Sequence, residues 1–189
     1  AVAVLAGDAL LTEAFAELAR MPEKYGTAPE VAVRLVGELA QGAGSRGLVG
    51  GQVVDITSAE QRPDADTLHY IHTRKTGALF KAALRCGALV GGADEEQLQA
   101  ITRYGENFGL AFQITDDILD EVGEANQLGK QTGRDRSLGK QTYPRLYGLE
   151  KSQELARECV KNCLDSLSGF PEEAWLLREL AFFVLQRSH

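Results

Sequence analysis

Phe112-Gln-Ile-Thr-Asp-Asp-Ile-Leu-Asp120 sets three aspartates within five residues, inside an otherwise apolar run. Turned as a helix at about 100° per residue, Gln113, Asp116, Asp117 and Asp120 fall within an arc of about 100°. Leu110, Ala111, Phe112, Ile114, Ile118, Leu119 and Val122 take most of the remaining circumference. A surface helix carries a broad polar face, whereas here the polar stripe is narrow and the rest wants burial. Ionised carboxylates are costly to bury unless something pairs with them. Two readings therefore stand: a solvated acidic stripe, or a central helix whose carboxylates face a cavity and meet a cation there. The apolar flanks, and the amide of Gln113 one turn earlier on the same face, favour the second. Three hard oxygen ligands at this spacing suit Mg²⁺, which keeps several waters and is held by one or two carboxylates together with substrate phosphates.

On either side of this stretch nearly every segment has helical spacing. The pattern predicts helices over 1–19, 29–41, 45–57, 64–90, 94–122, 143–167 and 171–186. Pro29 is placed to open the second, Asp64 to cap the fourth, and Asp94, followed by Glu95, Glu96 and Gln97, to start the fifth. Loops are expected at 21–29, 58–63 and 123–142. No run of strand alternation occurs, so the fold class read from the sequence is all-α. Gly37, Gly50, Gly51, Gly77, Gly87, Gly105 and Gly109 fall inside these helices. Each costs about 1 kcal/mol against alanine there, and close helix-to-helix packing is the reason expected for most of them. The first residues are apolar with helical spacing and no capping residue before them, so the chain reads as starting inside a helix.

The 189 residues suffice for one domain with a sizeable core. With a formal net charge of −7 and no basic run, a protein built to grip nucleic acid is not expected. No apolar run reaches membrane-spanning length, so no membrane span is expected. Cys86, Cys159 and Cys163 are odd in number. They read as free thiols of a reducing, cytoplasmic setting rather than as a zinc site.

An acidic protein that binds an anion needs local cations. Arg74-Lys75-Thr76-Gly77 lies inside the apolar helix predicted over 64–90, where a lysine either snorkels to the surface or faces a wet anionic cavity. The 128–144 stretch sets Lys130, Arg134, Arg136 and Lys140 among glycines. It is either an ordinary solvated loop or a lid able to fold over a phosphate. His69 and His72 are three apart, but with no third ligand nearby they read as packed or surface histidines.

Six motifs stand in order: GDALL (Gly7–Leu11), GGQVVDI (Gly50–Ile56), RKTGAL (Arg74–Leu79), FQITDDILD, LGKQTGRD (Leu128–Asp135) and GKQTYP (Gly139–Pro144). Together they resemble the trans-prenyl diphosphate synthases of the farnesyl and geranylgeranyl type, across essentially the whole chain. The resemblance implies an all-α bundle around a central cavity and a homodimer. It also implies an Mg²⁺-dependent condensation of isopentenyl diphosphate with allylic prenyl diphosphates. Carried over residue by residue, Asp116, Asp117 and Asp120 would hold the metal, Asp120 through water. Lys75 and Lys130 would grip the allylic diphosphate, and Thr76 and Gln113 would steady the carbocation. Lys140 and Asp135 would belong to the lid, Gln52 and Asp55 would line the cavity structurally, and Arg187 would approach isopentenyl diphosphate.

One departure matters. The family carries an earlier aspartate-rich motif followed by an arginine pair, and these 189 residues contain none. The resemblance therefore implies that residues 1–189 correspond to the C-terminal two-thirds of a single synthase domain, lacking the N-terminal third, and that this stretch alone is inactive or nearly so. The reading taken is the farnesyl diphosphate synthase type, with geranylgeranyl diphosphate synthase as the alternative, since the residues that set product length in the family lie just upstream of the earlier motif. A non-catalytic regulatory subunit is the alternative outside enzymes, although the intact DDILD counts against it. A terpene cyclase would carry a different second metal motif and lack the RKTG and LGK elements.

Overall fold

The computed structural model describes residues 1–58, 64–126 and 142–187, with side chains left aside for 123–126. Among them there are helices and turns and no strand, as the all-α reading expects. In chain order the helices are α1 (Val2–Tyr25), α2 (Pro29–Ala43), α3 (Leu48–Ser58) and α4 (Ala65–Ile71). A π-helical turn (His72–Gly77) then leads into α5 (Ala78–Val90) and the long α6 (Glu95–Asn126). After the 127–141 stretch come α7 (Tyr143–Tyr147), α8 (Leu149–Ser166), a 3₁₀ turn (Glu172–Ala174) and α9 (Trp175–Gln186).

Several starts are where capping chemistry puts them. Pro29 is the first residue of α2. Asp64 caps α4 by accepting from Asp66 N at 3.1 Å and Thr67 N at 3.0 Å. Asp94 and Gln97 form a reciprocal capping box, Gln97 N donating to Asp94 Oδ1 at 2.8 Å and Asp94 N to Gln97 Oε1 at 3.0 Å.

The ends differ from the sequence pattern in six places, two of them being that α6 runs four residues past 122 to Asn126 and that α9 begins at Trp175 behind the 3₁₀ turn instead of at 171. α1 runs on through Pro22 to Tyr25, where the N–H of Gly26 bonds Pro22 O at 3.1 Å; a proline within the last turn removes one donor without ending the helix. α3 begins at Leu48 and not at Ser45. The stretch 64–90 is two α-helices joined by a π-turn. The stretch 143–167 is broken at Gly148, whose φ of 82° no other residue type adopts readily.

α6 forms the centre, packing most extensively against α8 and α5, while α5 also packs on α2. The main core lies where α6, α8 and α9 meet, around Tyr104, Ile114, Cys163, Leu167 and Val184. A smaller core joins Leu35, Leu89 and Leu98. The helix that carries the three aspartates is thus the best-supported element of the chain.

Candidate active site

The π-turn, α6 and the start of α7 bring the candidate residues together. The π-turn is held between two glycines. A Cβ on Gly51 of α3 would run into the backbone of Lys75, 2.7 Å from its Cα, and one on Gly109 of α6 would stand 2.6 Å from the Cα of Gly77. For these two the packing role expected of the helical glycines holds. Gly37 and Gly87 have open space where a side chain would go.

With its backbone so placed, the turn presents Lys75 and Thr76 in different directions. Lys75 Nζ meets Asp55 Oδ2 of α3 at 2.6 Å, both groups partly exposed. Asp55, read as a structural lining residue, is thus the anion that holds the lysine. Thr76 Oγ1 donates to Gln113 Oε1 at 2.9 Å, so the π-turn and α6 join through two of the expected site residues.

The three aspartates have different surroundings. Asp116 is exposed, its side chain at 59%. Asp120, one turn on, is half-buried. Asp117 is 4% exposed. It accepts from His72 Nε2 and from Tyr143 N, each at 3.0 Å on Oδ2, and from Gln113 Nε2 at 3.3 Å on Oδ1. The His72 ring stacks on Tyr143, centroids 5.3 Å apart and planes at 17°. Burial, ahead of its neighbours Cys159, Tyr147 and Asp117, pushes the Tyr143 phenol up and keeps it neutral.

Arg187 lies against Asp116. Its Nη2 donates to Asp116 Oδ1 and to the carbonyl of Phe112, both at 3.0 Å, and its guanidinium carbon sits 3.8 Å from the Phe112 ring centroid. Nε of Arg187 is buried with no hydrogen-bond partner among the described residues. From Phe112 an aromatic series leads inward: Phe80 lies 5.1 Å from Phe112 and 5.2 Å from Phe108, and Phe108 stacks on Tyr104 at 5.7 Å. Phe80, Phe108 and Tyr104 line an apolar cavity of about 760 Å³ between α5, α6 and α9.

The structure therefore joins Thr76 to Gln113, Gln113 to Asp117 and Asp116 to Arg187, with Lys75 on the same turn as Thr76. Lys130, Asp135 and Lys140 fall outside the described residues. Among the described residues no three histidine, cysteine, aspartate or glutamate groups converge on one point. Any cation here would take one or two carboxylates and complete its shell from a ligand and water. His69 and His72 read as packed or surface histidines, and the structure agrees, with His69 exposed; what that reading missed is the role of His72, which is buried against Asp117. Its signal was its place three residues before Lys75 in an apolar helix. The Tyr143 backbone donor has no side-chain signature.

A profile of the polyprenyl synthetase family matches residues 1–174. The chain belongs to the polyprenyl synthetase family. It is 41% identical over 189 residues to a dimethylallyltranstransferase of Fischerella ambigua, covering 100% of this chain and 54% of that one. It is 42% identical to the farnesyl diphosphate synthase of Escherichia coli, covering 98% of this chain and 63% of that one. Among solved structures it is similar to a geranyltransferase of Helicobacter pylori complexed with magnesium and isoprenyl diphosphate. There the TM-score is 0.77 at 30% identity, covering 97% of this chain and 59% of that one. The family member described here thus spans just over half to three-fifths of the length of these relatives. Both the fold class and the family expected from the six motifs hold.

Proposed function

We propose that this chain is part of a trans-prenyltransferase that condenses isopentenyl diphosphate with an allylic diphosphate, of the farnesyl type. The observation that carries the reading is the series of contacts that runs from Asp116 and Arg187 through Phe112 to the apolar cavity. An exposed carboxylate, Asp116, stands beside the buried Nε of Arg187, which has no hydrogen-bond partner among the described residues. Directly behind them the Phe112–Phe80–Phe108 series leads into about 760 Å³ of apolar space. A ligand with an anionic head and a hydrocarbon tail fits both ends. The magnesium and isoprenyl diphosphate in the H. pylori structure support the same reading.

Asp116 and Asp120, one turn apart and open to solvent in whole or in part, are the residues fitted to hold Mg²⁺. The bound ion would supply charge neutralisation for a departing diphosphate. Lys75 adds a donor for the diphosphate oxygens, with Asp55 holding it until they arrive. Lys130 and Lys140 would add to these donors from the 127–141 stretch. The C–O bond of the allylic diphosphate breaks, the electron pair leaves with the diphosphate, and the double bond of isopentenyl diphosphate attacks the allylic cation before a proton is lost. Thr76 and Gln113 present oxygens that favour positive charge nearby, and the apolar walls exclude water that would otherwise capture the cation. The whole enzyme is proposed as a cytoplasmic homodimer. Among the described residues no helix is long and apolar enough to cross a membrane.

The test is calorimetric titration of geranyl diphosphate in Mg²⁺. The chain should bind it, and Asp116→Asn and Lys75→Ala should each weaken binding about ten-fold, as for loss of a charge-assisted contact. Absence of binding, or indifference to both substitutions, sinks the reading. Turnover by the 189-residue chain should be slight or nil, since the earlier aspartate motif is not within it. Measurable Mg²⁺-dependent product would overturn that part alone.

A further inference from the structure

Asp116 and Asp117 are neighbours in sequence, yet their surroundings are opposite. Asp116 is 59% exposed at the side chain, while Asp117 is 4% exposed and bonded to donors from the π-turn, α6 and α7. A hydrated divalent ion needs room for waters and phosphate oxygens that Asp117 does not have. What Asp117 has is three partners on three elements. Oδ2 receives His72 Nε2 and the backbone N–H of Tyr143; Oδ1 receives the amide of Gln113. An ionised carboxylate only accepts, so the hydrogen of the His72 pair is on Nε2.

We infer that His72 and Asp117 form a positioning pair that aims the diphosphate-binding groups without touching the ligand. The inference rests on the diphosphate reading of the site. His72 opens the π-turn that carries Lys75 and Thr76, so its bond to Asp117 fixes where that turn begins. The bond from Gln113 Nε2 to Asp117 turns the amide so that Oε1 faces Thr76. The bond from Tyr143 N ties α7, the element directly after the Lys130 and Lys140 stretch, to the same carboxylate. The stacked ring of Tyr143 closes the pair from water. A buried carboxylate with several donors is costly to leave half-satisfied, so the three elements move as one.

Isosteric variants separate this role from that of a ligand. In Asp117→Asn, the amide oxygen still accepts from His72 and Tyr143 N. Its NH₂ meets Gln113 once that amide turns over, and the Thr76 hydroxyl can then accept instead of donate. In His72→Gln, the amide nitrogen reaches about where Nε2 stood. The leucine variants at either position make no such bonds. The experiment titrates Mn²⁺ with inorganic diphosphate into the 189-residue chain by calorimetry, with hydrogen exchange of the ligand-free protein alongside.

Affinity is expected to fall about ten-fold or more in Asp116→Asn and about five-fold in His72→Leu and Asp117→Leu, but to stay within about two-fold in Asp117→Asn and His72→Gln. In the leucine variants, exchange should quicken at least about ten-fold over both 72–77 and 143–147, relative to the interior of α8, and in the isosteric variants over neither. Loss of affinity in Asp117→Asn as large as in Asp116→Asn makes Asp117 a ligand and overturns the inference. So does His72→Gln behaving like His72→Leu. If the unsubstituted chain binds no diphosphate, the proposed function fails; the exchange then decides the pair, and unchanged exchange in Asp117→Leu overturns it too.

Discussion

Ile114 on α6 is 1% exposed, whereas Leu10 on α1 is 73% exposed, and each stands for its region. On the α6 side, Tyr104, Cys163, Leu167 and Val184 lock α6, α8 and α9 into one core. On the other side, α1 contributes no fully buried residue, and α3 leaves Val49, Val53 and Ile56 open. The site is founded on the first region: the aspartate helix is the same helix that holds the core together. Gly51 and Asp55 reach it from the second. The difference teaches that the carboxylates gain their fixed geometry from packing behind them, and that α1 adds little to it.

Core truncation gives the largest expected effect. Ile114→Ala should cost about 3 kcal/mol through lost burial and the cavity left behind. Leu10→Ala should stay within about 0.5 kcal/mol, as surface changes do. Urea unfolding of both variants measures the contrast. Equal losses would mean that α1 is as much a part of the cooperative unit as α6.

Gly51→Ala comes next, because it probes a place where the open side grips the site. The new methyl would meet the Lys75 backbone, so either α3 or the π-turn must shift. Overpacking of this kind costs about 2 kcal/mol. The shift also loosens the Lys75–Asp55 pair, which spans the same two elements. Urea unfolding together with the Lys75 ammonium signal by NMR reads both. An alanine without effect on either would show that α3 approaches the turn less closely than the structure has it.

Much of this was legible in the residues. The narrow polar stripe of Gln113, Asp116, Asp117 and Asp120 marked α6 as central, and Asp64 and Asp94 marked the starts of α4 and α6, because caps and helical periodicity are local. The π-turn was not legible. It exists because Gly51 and Gly109 approach it from two other helices, and no local pattern of 72–77 records that approach. For the same reason Asp117 reads like its neighbours in DDILD, although its partners come from 45 residues before it and 26 after it. Successive residues on a helix point about 100° apart, so adjacent aspartates need not share a face or a role. The break at Gly148 was missed because the residues on either side of it keep helical spacing.

A smaller effect tests the start of α4, which aims the π-turn that follows. Asp64 satisfies two backbone donors at the helix start. Its carboxyl is held below the ordinary 3.8, first by hydrogen bonding to Thr67. Asp64→Ala should cost about 1 kcal/mol, and Asp64→Asn or Asp64→Ser a few tenths. Urea unfolding of the three variants decides it. Equal losses in all of them would mean that the cap is not what starts this helix.

The smallest effect returns to the core behind α6. Burial first, then Cys159, pushes the Cys163 thiol from 9.0 to about 12, and burial first, then Glu158, pushes Cys159 to about 11. A raised thiol pKa means that the folded chain keeps protons the unfolded chain gives up. The contribution is complete below pH 9 and is lost as pH rises from there toward 11 and 12. At pH 9 the loss is only about 0.4 kcal/mol for each thiol, since the unfolded group is half ionised there. The urea midpoint of the unsubstituted chain should therefore fall further between pH 7 and pH 9 than that of the Cys159→Ala/Cys163→Ala variant. The variant's own cavity cost cancels in that difference, because it is the same at both pH values. Identical falls in the two proteins would mean that water reaches these thiols, and that the region behind the aspartate helix is less tightly closed than its contrast with α1 requires.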